Sequence, residues 1–240
     1  LQHLYIIKTG TTFPSTLARL GDFDAWTQAG LKNAKTDVRI VDAENGAALP
    51  PAVDCAGVVI TGAHAMVTDD LPWSIALEKW IPGLLAAETP ILGICYGHQL
   101  LARATGGEVG YHPQGKEIGT VEVSCLPAAE HDSLFRALPA AFPAHVTHAQ
   151  TVLALPPGAI RLAANRHEPN HAFRIGKCAW GVQFHPEYTP KIMRAYIREQ
   201  AGELTAAGTE PEPLLEAVVP TPAAGGLLKN FAGLLPQYGD

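Results

Sequence analysis

Two short stretches hold residues whose types and spacing could carry out nucleophilic chemistry. The first is Gly93-Ile94-Cys95-Tyr96-Gly97, set inside "PILGICYGHQLL" (90–101). Apolar residues lead up to it, and a helix-forming run from His98 to Ala104 follows. Strand, Gly-x-Cys-x-Gly and helix make the layout of a nucleophile elbow. Glycines on both sides let strand and helix approach closely around a sharp turn. The turn lifts the Cys95 side chain above the carboxyl edge of the sheet, where ligands bind in open α/β sheets. The helix that begins there turns its positive end and unpaired N–H groups towards the sulfur, which favours a thiolate. The backbone N–H of Tyr96 then points to where an oxyanion would form. A buried structural cysteine is the alternative reading of the same motif, and it is the reading given to Cys55, Cys125 and Cys178.

A thiol nucleophile needs a base, and the base needs a group that orients it. The second stretch, "WGVQFHPEYTP" (180–190), supplies both types. Pro186 biases His185 towards extended backbone. In an extended segment residues i and i+2 share a face, so His185 and Glu187 are expected side by side at a strand end. Glu187 can accept a hydrogen bond from one imidazole nitrogen and leave the other for Cys95, favouring a thiolate–imidazolium pair. His-Pro-Glu alone is a weak signal; with the elbow upstream it is a strong one.

The elements that must position these residues alternate strand and helix. Strands are expected at 3–10, 36–43, 57–62 and 90–95, and helices at 15–31, 72–88 and 97–105. "GVVITG" and "PILGIC" are apolar throughout, which argues for a parallel sheet covered on both faces. From 106 to 184 the texture changes to short strands punctuated by Gly, Pro and Asn, read as an antiparallel or mixed portion of the same domain. An amphipathic helix is expected at 189–206. The expected organisation is one domain over residues 1–206, then a Pro/Gly-rich C-terminal arm over 207–240 with a candidate short docking helix at 227–235.

Bulk properties narrow the function classes. The chain has 240 residues, 47% apolar and 17% charged, with a net charge of −6 and no basic run. That argues against nucleic-acid and anionic-membrane binding. No apolar stretch approaches the ~20 residues of a membrane span. The opening "LQHLYIIKTG" lacks the basic lead of a signal peptide and reads as a first buried strand. Four scattered cysteines without a C-x-x-C pair argue against zinc and against a disulfide framework, and fit a cytoplasmic protein. No metal or other cofactor is expected.

"GICYGHQLL" together with "GVQFHPE" resembles the class I, triad-type glutamine amidotransferase domain, as found beside GMP synthase, anthranilate synthase and carbamoyl-phosphate synthase. The two motifs stand in the family's order and spacing, and the resemblance covers about residues 1–200. It implies a flavodoxin-like or Rossmann-like α/β fold, with an open, mostly parallel sheet, helices on both faces and a small antiparallel portion. It implies Cys95 as nucleophile, His185 as base and acid, Glu187 as orienting carboxylate, and a γ-glutamyl thioester that water hydrolyses. It also implies that Gln99 helps hold glutamine. "VVITGAHAM" (58–66) sits where the family has a strand ending in Ser-Gly-Gly-Pro or Asn-Gly-Pro. By that match Gly62 and Ala63 supply the second oxyanion-hole N–H, with alanine departing from the family pattern. "VTHAQTV" (146–152) is similar to the family's Ser-His-Gly-Asp-type segment and brings His148 to the substrate pocket; a polar strand end is the alternative.

Chain order separates a rival. α/β-Hydrolases place the acid between nucleophile and histidine, whereas here the carboxylate follows the histidine by two positions. A plain flavodoxin-like binding module would not need both motifs. No G-x-x-x-x-G-K-[ST] loop is present. Three functions remain: a glutaminase that passes ammonia to a separate synthetase subunit, a stand-alone γ-glutamyl peptide hydrolase, and a non-catalytic regulatory or binding protein that retains the triad.

Overall fold

The computed structural model describes residues 2–32 and 34–236. Among the described residues there are eleven strands: β1 His3–Lys8, β2 Val38–Asp42, β3 Cys55–Ile60, β4 Ile91–Ile94, β5 Glu108–Tyr111, β6 Glu117–Cys125, β7 Ala141–His148, β8 Gln150–Ala154, β9 Ile160–Ala164, β10 Ala172–Ile175 and β11 Ala179–Val182. The helices are α1 Pro14–Leu20, α2 Phe23–Gly30, α3 Pro72–Ala86, α4 Tyr96–Ala104, α5 Pro190–Glu199, α6 Ala201–Ala206, α7 Pro211–Glu216 and α8 Pro222–Leu234.

Nine strands form one sheet in the order β2-β1-β3-β4-β11-β10-β9-β6-β7. The pairings from β2 through β11 are parallel. Those from β11 through β7 are antiparallel. β5 and β8 make a separate antiparallel pair. The structure is the α/β fold expected, and its antiparallel part is four further strands plus this pair.

Alternation along the strands builds a core on each face. Leu4, Ile6, Val59, Leu92 and Ile94 point to one side, where Leu227, Leu228 and Phe231 of α8 cover them. Tyr5, Ile7, Val58, Ile60 and Ile91 point to the other, under Leu77, Ile81 and Leu84 of α3 and Leu100 and Leu101 of α4. Cover on both faces is why β3 and β4 are apolar at every position.

Two segments differ from expectation in detail. The helix expected over 15–31 is broken at Gly21, whose φ of +85° favours glycine. Asp22 then caps α2 by accepting the Phe23 N–H at 3.0 Å, and also accepts the Thr12 N–H at 2.9 Å. The stretch 207–236 carries α7 and α8; α8 covers most of the helix expected at 227–235 but begins earlier, at Pro222, and its Ala224, Leu227, Leu228 and Phe231 are wholly buried. Apolar residues at helical spacing outweigh the local Pro/Gly composition there. Among the described residues no helix is long and apolar enough to cross a membrane.

Candidate active site

β4 ends at Ile94, α4 begins at Tyr96, and Cys95 alone makes the turn between them. Its backbone has φ 51° and ψ −97°, an uncommon conformation for a non-glycine residue. The flanking glycines permit it for a steric reason. A Cβ at Gly93 would lie 2.3 Å from the Gly97 carbonyl oxygen, and one at Gly97 would lie 2.4 Å from the Ile60 carbonyl oxygen. Cys95 N–H donates to Val182 O at 2.8 Å, which ties the elbow to the end of β11. The sulfur lies 3.9 Å from the Thr147 carbonyl oxygen. Burial pushes the Cys55 thiol up to about 11 and also raises those of Cys125 and Cys178.

His185 and Glu187 follow β11, which is the neighbour of β4 in the sheet. The pair meets, but not along an extended segment. Pro186 and Glu187 form a turn closed by Tyr188 N–H donating to His185 O at 3.4 Å. Proline suits the second position of such a turn because its φ is already set. The His185 Nδ1–H donates to Glu187 Oε1 at 2.8 Å, with both side chains buried. Burial works against a charged ring here. The Glu187 carboxylate and the Cys95 sulfur outweigh it and push the imidazole up to about 10. Nε2 has no hydrogen-bond partner among the described residues. Tyr188 stacks on the imidazole at 4.1 Å between centroids, and Phe23 lies nearly parallel to it at 6.4 Å.

Gly62 stands between the two motifs. A Cβ placed there would lie 3.0 Å from His185 Cε1 and 3.7 Å from Cys95 Cβ, so both side chains border the same point. Ala63 lines the adjoining cavity, and its N–H donates to no group among the described residues. Tyr96, as the first residue of α4, has an N–H without an intrahelical acceptor.

That cavity has a volume of about 430 Å³ and is also lined by Cys95, Gln99, His148 and His185. The Gln99 amide nitrogen donates to Gln150 O at 2.7 Å and to Gln183 Oε1 at 2.9 Å. His148 Nδ1–H donates to Gln150 O at 2.9 Å, and Nε2 faces Glu117 Oε2 at 3.0 Å. Burial alone would raise the Glu117 carboxyl. The His148 and His171 rings and the Asn165 amide instead hold it well below the usual carboxylate range. Elsewhere in the interior, desolvation drops His98 to about 3 and His145 to about 4.

Of the residues brought forward from the sequence, Ala63, Cys95, Tyr96, Gln99, His148 and His185 line one cleft, while Gly62 and Glu187 adjoin it through the His185 ring. Sequence reasoning missed the rings of Phe23 and Tyr188 beside His185, Glu117 behind His148, and a buried hydroxyl pair, Thr9 and Thr61. Thr61 follows the last residue of β3, and Thr9 follows β1. A polar residue just past the carboxyl end of an apolar parallel strand is the signal that could have found them.

The elbow stands on the carboxyl edge of a doubly covered α/β sheet, and the signature described as Glutamine amidotransferase class-I matches residues 23–202. The chain belongs to the class I glutamine amidotransferase family. Over 142 residues it is 39% identical to the glutamine-hydrolyzing GMP synthase of Aeropyrum pernix, covering 59% of this chain and 25% of that protein. Over 151 residues it is 36% identical to the GMP synthase of Thermomicrobium roseum, covering 61% and 27%. The chain thus spans about a quarter of the length of the curated relatives it matches. A glutamine amidotransferase structure from Thermotoga maritima superimposes with a TM-score of 0.75 at 24% identity, covering 96% of each chain. One from Methylobacillus flagellatus has the same score and identity and covers 100% of this chain and 98% of that one.

Proposed function

We propose that this domain hydrolyses the side-chain amide of glutamine, with Cys95 as nucleophile, His185 as proton carrier and Glu187 as the group that orients and charges the ring. The observation that carries the reading is the buried His185–Glu187 pair sharing the space beside Gly62 with Cys95. The Cys95 thiolate adds to the amide carbon, and the carbonyl oxygen becomes an oxyanion facing the N–H groups of Ala63 and Tyr96. Collapse breaks the C–N bond as the His185 imidazolium protonates the leaving ammonia. A γ-glutamyl thioester remains. Neutral His185 then takes a proton from water, the hydroxide displaces sulfur, and glutamate leaves with the thiolate restored. Each oxyanion donor contributes on the order of 10²–10³ in rate. Gln99 and His148 line the side of the cleft that holds the glutamyl group.

Ammonia released here is used by a synthetase acting with this domain, the arrangement suggested by the GMP synthases it resembles. One observation favours a second substrate class. Phe13, Phe23, Tyr188 and Tyr196 give the cleft an aromatic lining that ammonia as a leaving group does not need. The purified chain assayed on glutamine and on a panel of γ-glutamyl peptides decides between them. Ammonia release from glutamine that Cys95→Ala abolishes supports the main reading. Preference for a peptide moves the assignment to peptide hydrolysis, and turnover surviving Cys95→Ala ends the triad reading.

A further inference from the structure

Beneath the cleft, the ends of β1 and β3 are joined by two hydroxyl groups that the proposed chemistry does not itself use. Thr9 and Thr61 are fully buried. The Thr9 N–H donates to Thr61 Oγ1 at 3.1 Å. With that lone pair occupied, the Thr61 hydroxyl donates to the Gly62 carbonyl oxygen at 3.1 Å. The Thr9 hydroxyl lies 3.0 Å from the same Gly62 oxygen and 3.0 Å from the Thr61 carbonyl oxygen. The Thr61 carbonyl also accepts the Gly97 N–H of the elbow, at 3.2 Å. A few atoms therefore couple the loop after β3 to both the first strand and the turn that presents Cys95.

The consequence follows from the planar peptide. The bond between Gly62 and Ala63 is trans, so its N–H points opposite to its C=O. Hydroxyls that fix the Gly62 carbonyl therefore also fix the direction of the Ala63 N–H, which has no other partner among the described residues. The next residue of the first strand's end reinforces this. A Cβ at Gly10 would lie 2.9 Å from both Cα and Cβ of Ala63, so the loop rests directly on that backbone. Alanine at 63 lacks the freedom of glycine, and a peptide held from behind does not need it.

We infer that Thr9 and Thr61 are positioning residues for the oxyanion site: their hydroxyls lock the Gly62–Ala63 peptide so that the Ala63 N–H is held towards the cleft. The inference rests on the proposed roles of Cys95 and Ala63 and extends them to two side chains that touch no substrate. Thr9→Val keeps the shape and removes the hydroxyl, while Thr9→Ser keeps the hydroxyl.

The test measures three quantities on the full chain: steady-state glutaminase kinetics, the rate at which iodoacetamide alkylates Cys95 (followed on its own peptide), and thermal unfolding. In Thr9→Val, kcat should fall about 10–100-fold with KM changed less than about 3-fold, because a donor is misaimed rather than lost. Alkylation of Cys95 needs no oxyanion donor and should stay within about 2-fold of the parent rate. Thr9→Ser should restore kcat to within about 3-fold of the parent. If Thr9→Val does not fold, Thr61→Val interrogates the same carbonyl. Undiminished kcat in a folded valine variant, alkylation that falls in step with turnover, or a serine variant as impaired as valine would each overturn the inference. A Cys95→Ala chain that still turns over would instead remove the triad reading beneath it. Inactive Cys95→Ala beside a fully active Thr9→Val removes the hydroxyl lock alone.

Discussion

Gly62→Ala probes the space shared by the two motifs. Gly62 does not have a positive φ, so its backbone accepts alanine and only the contact matters. The new methyl would lie 3.0 Å from His185 Cε1 and 3.5 Å from Phe23 Cε1. Carbon atoms prefer a separation of about 3.5–4.0 Å, so the imidazole must retreat by about 0.5 Å. Tyr188 stacked on the ring limits where it can go. A misplacement of about 1 Å at a reacting group costs on the order of 10²-fold, so half of that corresponds to about a tenfold loss in kcat. Overpacking should also lower stability by about 1–3 kcal/mol. Ammonia release at saturating glutamine, read beside thermal unfolding, checks both. A folded variant with parental kcat would refute the placement of His185 as the group that moves the proton.

Other outcomes follow from the same geometry. His185→Ala should lower kcat more than Glu187→Gln, since the orienting carboxylate is often the less costly loss; the reverse ranking in steady-state rates contradicts the roles. The His185 imidazole is raised above its ordinary value, so the stabilisation from its charged pair is complete below about 6.5 and is lost as pH rises through about 10. The alkaline limb of kcat/KM should accordingly fall near pH 10 and move to lower pH in Glu187→Gln; a limb that does not move counts against the pairing. Glu117 is depressed, so its stabilisation is present above the ordinary carboxylate range and fades as pH falls below it. Glu117→Gln should therefore lower stability by about 2–3 kcal/mol at neutral pH, with the difference from the parent shrinking below about pH 4 in denaturant titrations.

Much of the site could be read in the chain because its parts are local. Gly93, Cys95 and Gly97 lie within five residues, and His185 and Glu187 are two apart, so short-range geometry constrains them. The elbow depends on close contact that glycine alone permits, and β3 and β4 are recognisable from apolar runs that a doubly covered sheet requires. The His-Pro-Glu contact was legible as a spacing, while its conformation was not: a proline turn and a strand end both bring i and i+2 together. Glu117 escaped notice because its partners His148, Asn165 and His171 are supplied by distant segments. Thr9 and Thr61 are separated by 52 residues and meet only because β1 and β3 are sheet neighbours. The break at Gly21 was obscured because an isolated glycine is also tolerated inside a helix.

The central claim is that the Cys95 sulfur becomes acylated during turnover. Acid quenching of the chain while it turns over glutamine, followed by mass analysis of its cysteine peptides, measures this directly. The expected result is a γ-glutamyl group on the peptide containing Cys95 and none on that segment in Cys95→Ala, which releases no ammonia. A glutamyl group carried by Cys55, Cys125 or Cys178, or steady ammonia release from Cys95→Ala, would contradict it.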